Sequence, residues 1–164
     1  MSWYRQWFPL ILLLVSEFAS ADPILNEDYM QFESRMTSPV ERIELIEFFS
    51  YSCLGCYQLG ADLDHWYLGN LERVDLVLVP IVNNRQSESL ARLYYALVAL
   101  DKLVNVHYDV FGAIHDERQN LWEIDVQRNW ASEYDIDPEE FQRVLDSEWV
   151  SERVDQAREF TERY

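Results

Sequence analysis

Residues 46–58 read IEFFSYSCLGCYQ, an apolar segment that runs straight into two cysteines three positions apart. It lies at the end of an apolar, β-branched and aromatic run, RIELIEFFS over residues 42–50, interrupted by Glu44 and Glu47. That composition predicts a strand entering the centre of a sheet. Residues 56–68 then place Cys56, Leu59, Leu63, Trp66 and Tyr67 at helical spacing, which predicts a helix with one buried face. Residues 74–82, VDLVLVPIV, are a nearly continuous apolar run of strand length. This is the pattern of a parallel strand covered on both faces, with Pro80 putting its far end at an edge or bulge. Residues 42–82 therefore read strand, helix, strand, long enough for a right-handed βαβ crossover.

Outward from this unit the chain turns helical. Ser87 or Ser89 is the expected cap of a helix with Leu90, Leu93, Leu97 and Leu100 as its apolar stripe. Further helices are expected over residues 106–114 and 121–134. Asp137-Pro138-Glu139-Glu140 sets Asp at an N-cap, Pro at N1 and Glu at N3 of another helix ending near Asp146. A last one is expected over residues 149–163. Of the 30 acidic residues, 15 follow His115, against six arginines, which reads as the solvated outer face of a helical bundle. On the N-terminal side, residues 29–33 read as a short strand.

The first 21 residues have the form of an export signal. Arg5 supplies a positive n-region, residues 7–15 an apolar stretch, and Ala19-Ser20-Ala21 a cleavage site, with Glu17 an unusual c-region residue. The stretch is too short to span a hydrocarbon core, which takes roughly 20 residues; an uncleaved amphipathic anchor and a disordered apolar start are the alternative readings. Cleavage after Ala21 would leave no stable membrane insertion and would place the cysteines in an oxidising compartment. The net charge of −17, from 13 Lys+Arg against 30 Asp+Glu, excludes a nucleic-acid binder and disfavours an anionic membrane surface. An apolar fraction of 49% excludes a disordered chain.

The chain has two cysteines, Cys53 and Cys56, where the first strand hands over to the helix. A helix N-terminus favours an anion, so Cys53 should be more thiolate-like than a free thiol. The thiolate is the attacking form in disulfide exchange. Cys56, one turn further in, is placed to resolve a mixed disulfide. A permanent Cys53–Cys56 staple is the structural alternative, but it would close almost no loop and stabilise little. A zinc site would need two more ligands, and His65, His107 and His115 lack ligand spacing. Cu(I) held between two thiolates is a further alternative, without Met-rich or His-rich support. No cofactor or metal is expected.

With these residues in place, the chain resembles the DsbA-like branch of the thioredoxin superfamily. Residues 46–58 carry the resemblance, which continues at low identity over residues 29–164. The resemblance implies an α/β thioredoxin-like βαβ unit with an inserted helical domain: residues 22–86 the N-terminal part, 87–147 the insertion, and 148–164 a helix returning to the first part. It implies a periplasmic thiol:disulfide oxidoreductase. Cysteine-containing exported proteins would be its substrates and a membrane or periplasmic protein its redox partner. It also implies Cys53 as nucleophile, Cys56 as resolving thiol, and Glu47 as an acid beneath them that relays a proton. Without the resemblance, Glu47 reads equally well as an acid at a solvated strand edge.

Two departures from the family shape the expectation. The inner dipeptide is Leu54-Gly55 rather than the Pro-His of strongly oxidising members, which implies a milder oxidant. The family also places a cis-proline loop beside the motif, then two antiparallel strands and a closing helix. Here the prolines after Cys56 are Pro80 and Pro138. The C-terminal half of the sheet is therefore expected to be missing, through truncation or because a partner completes it. A catalytically impaired remnant acting as a binding protein is the alternative function.

Overall fold

A computed structural model describes residues 23–25, 27, 30 and 42–164. The export signal lies outside the described residues. So does the strand expected over 29–33, apart from Met30, which is in no element. The chain divides into residues 1–37 and 38–164. In the first unit Glu27 N–H donates to the Ile24 carbonyl at 3.2 Å. The second carries two strands and six helices among the described residues.

Its elements are β1 (Ile43–Phe49), α1 (Leu54–Leu68), β2 (Val74–Pro80), α2 (Arg85–Ala99), α3 (Leu103–His115), α4 (Ile124–Glu133), α5 (Pro138–Leu145) and α6 (Glu148–Arg163). β1 and β2 pair in parallel, from Ile43 opposite Val74 to Phe49 opposite Pro80. Parallel pairing needs a crossover, and α1 supplies it. Arg42 locks the open end of the pair: its guanidinium donates to the Leu71 and Val74 carbonyls at 2.6 and 2.7 Å and meets the Asp75 carboxylate at 2.7 Å. At the other end Ile81 N–H donates to the Phe49 carbonyl at 2.8 Å, so the ladder runs on past Pro80.

The helical part organises around α2, which packs on α3, α5, α6 and β2. Its Leu90, Leu93 and Leu97 are buried in the main core with Phe111, Trp130 and Phe141. A smaller core of Val79, Val82, Ala91, Val150 and Val154 joins β2, α2 and α6. At α5 the expected start signal forms as read, with Asp137 Oδ1 accepting from Glu140 N–H at 2.8 Å behind Pro138. Asp101, Arg118 and Asp135 take left-handed conformations (φ 54°, 62° and 56°) in the short connections between successive helices.

Three expectations need correction. The cap of α2 is Asn84, not Ser87 or Ser89. Ser87 sits at N3 and closes a reciprocal capping box with Asn84, while the Ser89 hydroxyl donates to the Trp122 carbonyl at 2.8 Å. The buried face expected of α1 is absent: none of its residues is buried, and Leu59 and Trp66 are 54% and 47% exposed. Its packing partner is α3, met largely through tyrosines. β2 is not covered along its whole length either, because α2 and α6 pack on its C-terminal end and leave Val77 39% exposed.

Gln127 is the buried polar link between α4 and α2. Its amide donates to the Leu121 carbonyl at 2.7 Å and to Ser89 Oγ at 3.0 Å. Replacing it by Leu strands a buried carbonyl, and urea unfolding should show a loss of about 1–3 kcal/mol. Removing the exposed Arg128–Asp125 pair, 3.8 Å apart, should change stability by less than about 0.5 kcal/mol.

Candidate active site

Cys53 is the N-cap of α1 (φ −92°, ψ 110°), and its Sγ accepts the Cys56 N–H at 3.2 Å. The turn leading into it closes when Cys53 N–H donates to the Ser50 carbonyl at 2.9 Å. The first helical bond follows at once, from Tyr57 N–H to the Cys53 carbonyl at 3.1 Å. The sulfur thus stands where unpaired helix N–H groups and the helix dipole favour negative charge. Both cysteines are free thiols and partly exposed. Burial, with the adjacent Cys53 sulfur and the charge of Glu47, pushes the Cys56 thiol up; a hydrogen bond from the Ser50 backbone opposes this.

Glu47 lies on β1 opposite Leu78 and is half-buried. Desolvation raises its carboxyl above the usual range, and the negative charge of Asp64 adds to this. Its charge also acts on Cys56, Tyr94 and Tyr108. The charge of Glu47 thus reaches Cys56, whose N–H in turn meets Cys53 Sγ, and these groups form one neighbourhood through Cys56.

Two histidines without ligand spacing in the sequence also meet this neighbourhood. Tyr51, buried just ahead of the motif, has its hydroxyl hydrogen-bonded to His107 Nδ1 at 2.9 Å. His115 Nε2 lies 2.9 Å from the Tyr51 carbonyl and, since a carbonyl can only accept, is the donor. The rings of Phe49, Tyr51, Tyr94, His107 and Phe111 form one cluster under the turn. From α1, Tyr57 stacks on Phe111 and His115 (centroids 5.4 and 5.6 Å) and donates to Asp116 at 3.0 Å; Tyr108 on α3 donates to Asp64 at 2.6 Å. The available signal was two histidines and two aromatics on one helix, but nothing in the sequence pointed them at Tyr51.

Cys53 lines a cleft of about 250 Å³ together with Ser50, Ser52, Ile81, Asn83, Asn84, Gln86 and Ser87. Among the described residues the lining, apart from Cys53 and Ile81, is hydroxyl and amide. Among the described residues no three or more His, Cys, Asp or Glu stand together as a metal-binding group.

The DSBA-like thioredoxin domain family matches residues 57–164. The chain belongs to that family. The thiol:disulfide interchange protein DsbA of Bordetella pertussis (strain Tohama I) is 33% identical over 137 residues, covering 83% of this chain and 65% of its own length. The DsbA of Burkholderia cepacia is 24% identical over 152 residues, covering 92% and 72%. Among solved structures, the oxidoreductase DsbA from Xylella fastidiosa superposes with a TM-score of 0.69 at 26% identity, covering 76% of this chain and 68% of that one. Reduced DsbA1 from Neisseria meningitidis gives 0.73 at 22% identity, covering 88% and 78%. The α/β fold with a helical part added to a βαβ unit is thus that of DsbA-like proteins. The chain spans 65% of the length of its Bordetella relatives.

Burial lowers His107 from 6.5 to about 4, with Asp64 opposing, so the folded protein holds it neutral near pH 7. Because the unfolded chain protonates at the higher pH, the stability tied to neutral His107 is complete above about pH 6.5 and lost as pH falls toward 4. Glu47 works in the opposite sense, and is common to parent and variant. Denaturant unfolding of parent and His107→Leu should therefore show a stability difference that shifts against the parent by on the order of 3 kcal/mol between pH 7.5 and 4. A pH-independent difference would remove His107 as the titrating group.

Proposed function

We propose that the chain is a thiol:disulfide oxidoreductase exchanging disulfides with exported proteins. The observation carrying this reading is Cys53 at the N-cap of α1, its sulfur accepting the Cys56 N–H, in a member of the DsbA-like family. Cys53, as thiolate, attacks a substrate disulfide, forming a mixed disulfide and releasing one substrate thiolate. Cys56 then attacks the Cys53 sulfur, which frees the second substrate thiol and leaves a Cys53–Cys56 disulfide. Two electrons pass to the substrate, and the same steps run backwards oxidise it. Cys56, held protonated by burial, must lose its proton to attack, and Glu47, with its raised carboxyl, is the group assigned to take it.

The same reading places the protein in the periplasm after removal of residues 1–21. On this reading residues 22–86 are the N-terminal part of a thioredoxin-like domain, residues 87–147 the insertion and residues 148–164 a helix returning toward that domain. Cysteine-containing exported proteins are its substrates, and a membrane or periplasmic protein resets its redox state. Among the described residues no helix is long and apolar enough to cross a membrane. The rival reading, a binding protein with impaired chemistry, is favoured by the apolar exposure of Leu59 and Trp66 on α1.

An insulin-reduction assay separates the two. Cys53→Ser should lose all exchange, whereas Cys56→Ser should accumulate mixed disulfides with substrate; an active Cys53→Ser protein would overturn the assignment. The potential carries a second expectation. A side chain added at Gly55 would begin 3.8 Å from Cys53 Sγ, so this position faces the sulfur and here offers it no donor. Titration against glutathione should give a value more negative than DsbA's roughly −120 mV. Gly55→His should raise it by about 30 mV or more, each 30 mV being about tenfold in the exchange equilibrium.

A further inference from the structure

The turn before Cys53 is held from the helical part of the molecule, and one of the two holding bonds falls on its backbone. The peptide joining Tyr51 to Ser52 lies inside the turn that Cys53 N–H closes onto the Ser50 carbonyl. That closing bond leaves the Tyr51 carbonyl unused, while on the other side of the same peptide the Ser52 N–H donates to Ser50 Oγ at 3.3 Å. Rotation there changes the conformation of Ser52, one residue ahead of the N-cap. The His115 bond at 2.9 Å is the shorter of the two that hold the plane and the one that reaches it from the helical part, and it satisfies a carbonyl that belongs to a buried residue. The ring of the same histidine stacks on Tyr57, whose N–H donates to the Cys53 carbonyl at 3.1 Å. His115 therefore touches the chain on both sides of the motif without touching either sulfur.

We propose that His115 is a positioning residue for Cys53: its Nε2–H, donated to the Tyr51 carbonyl, holds the turn in the geometry that lets the sulfur accept the Cys56 N–H. The bond, not the ring stack, sets the reactivity of the sulfur. The inference rests on the exchange reading above. His107 plays a different part, since it meets the Tyr51 side chain and leaves the backbone alone.

Two substitutions pull donor and ring apart. His115→Gln keeps an N–H donor of similar reach and loses the stack; His115→Phe keeps the stack and loses the donor. Iodoacetamide alkylation of Cys53 in the Cys56→Ser background and insulin reduction by the dithiol protein are measured below the melting temperature of each variant. His115→Gln should stay within about threefold of the parent in both, and His115→Phe should be slower by about tenfold in both. His115→Phe as fast as the parent, or His115→Gln as slow as His115→Phe, overturns the proposal. If His115→Phe does not fold, His115→Asn, whose amide is too short to reach the carbonyl, replaces it under the same two outcomes. A parent inert towards insulin sinks the exchange reading, whereas the alkylation rates still decide the role of His115.

Discussion

A single N–H aimed at a single sulfur organises the site. The first turn of any helix has backbone donors without partners, and in α1 one of them, on Cys56, is satisfied by Cys53 Sγ. Cys53 is therefore both the end of the turn and the cap of the helix, and neither can move without changing the donors around the sulfur. The parallel pairing of β1 and β2 makes this arrangement possible, because it requires a crossover whose helix starts directly behind the end of β1.

The helix so capped is weakly held by apolar packing. None of its residues is buried, and its attachments to α3 run through the Tyr57–Asp116 and Tyr108–Asp64 bonds and the stack on Phe111 and His115. Gly60 marks how close the helices come, since a Cβ there would lie 2.9 Å from the Tyr108 hydroxyl. The helical part is thus the second wall of the site. Below the motif, burial and mutual repulsion of Glu47 and Asp64 keep a carboxyl reluctant to ionise beside a thiol reluctant to ionise.

Much of this was legible from residue order. The alternation from apolar strand to 3–4 spacing and back located β1, α1 and β2, and Asp137-Pro138 located the start of α5, because those signals are local. Asn84 was missed as the cap of α2 because three candidate caps lie within six residues, and the choice is made by Ser87 and Trp122 bonds that a linear reading does not show. The exposure of Leu59 and Trp66 was missed because an apolar stripe reads alike whether or not something lies against it. The histidines were missed for a different reason: the Tyr51 atoms they bind lie 56 and 64 positions away in the chain.

Those same separations bear on the order of events during folding. Each of the helices α2 to α6 forms from neighbours in sequence, but bringing α6 onto α2 closes long loops, as does joining His107 and His115 to Tyr51, and loop entropy makes such links late. The scaffold around the sulfur is accordingly completed with the tertiary packing and not with the single helices. A chain only half assembled has not yet brought His115 to the Tyr51 carbonyl, so its two cysteines do not yet follow a held turn.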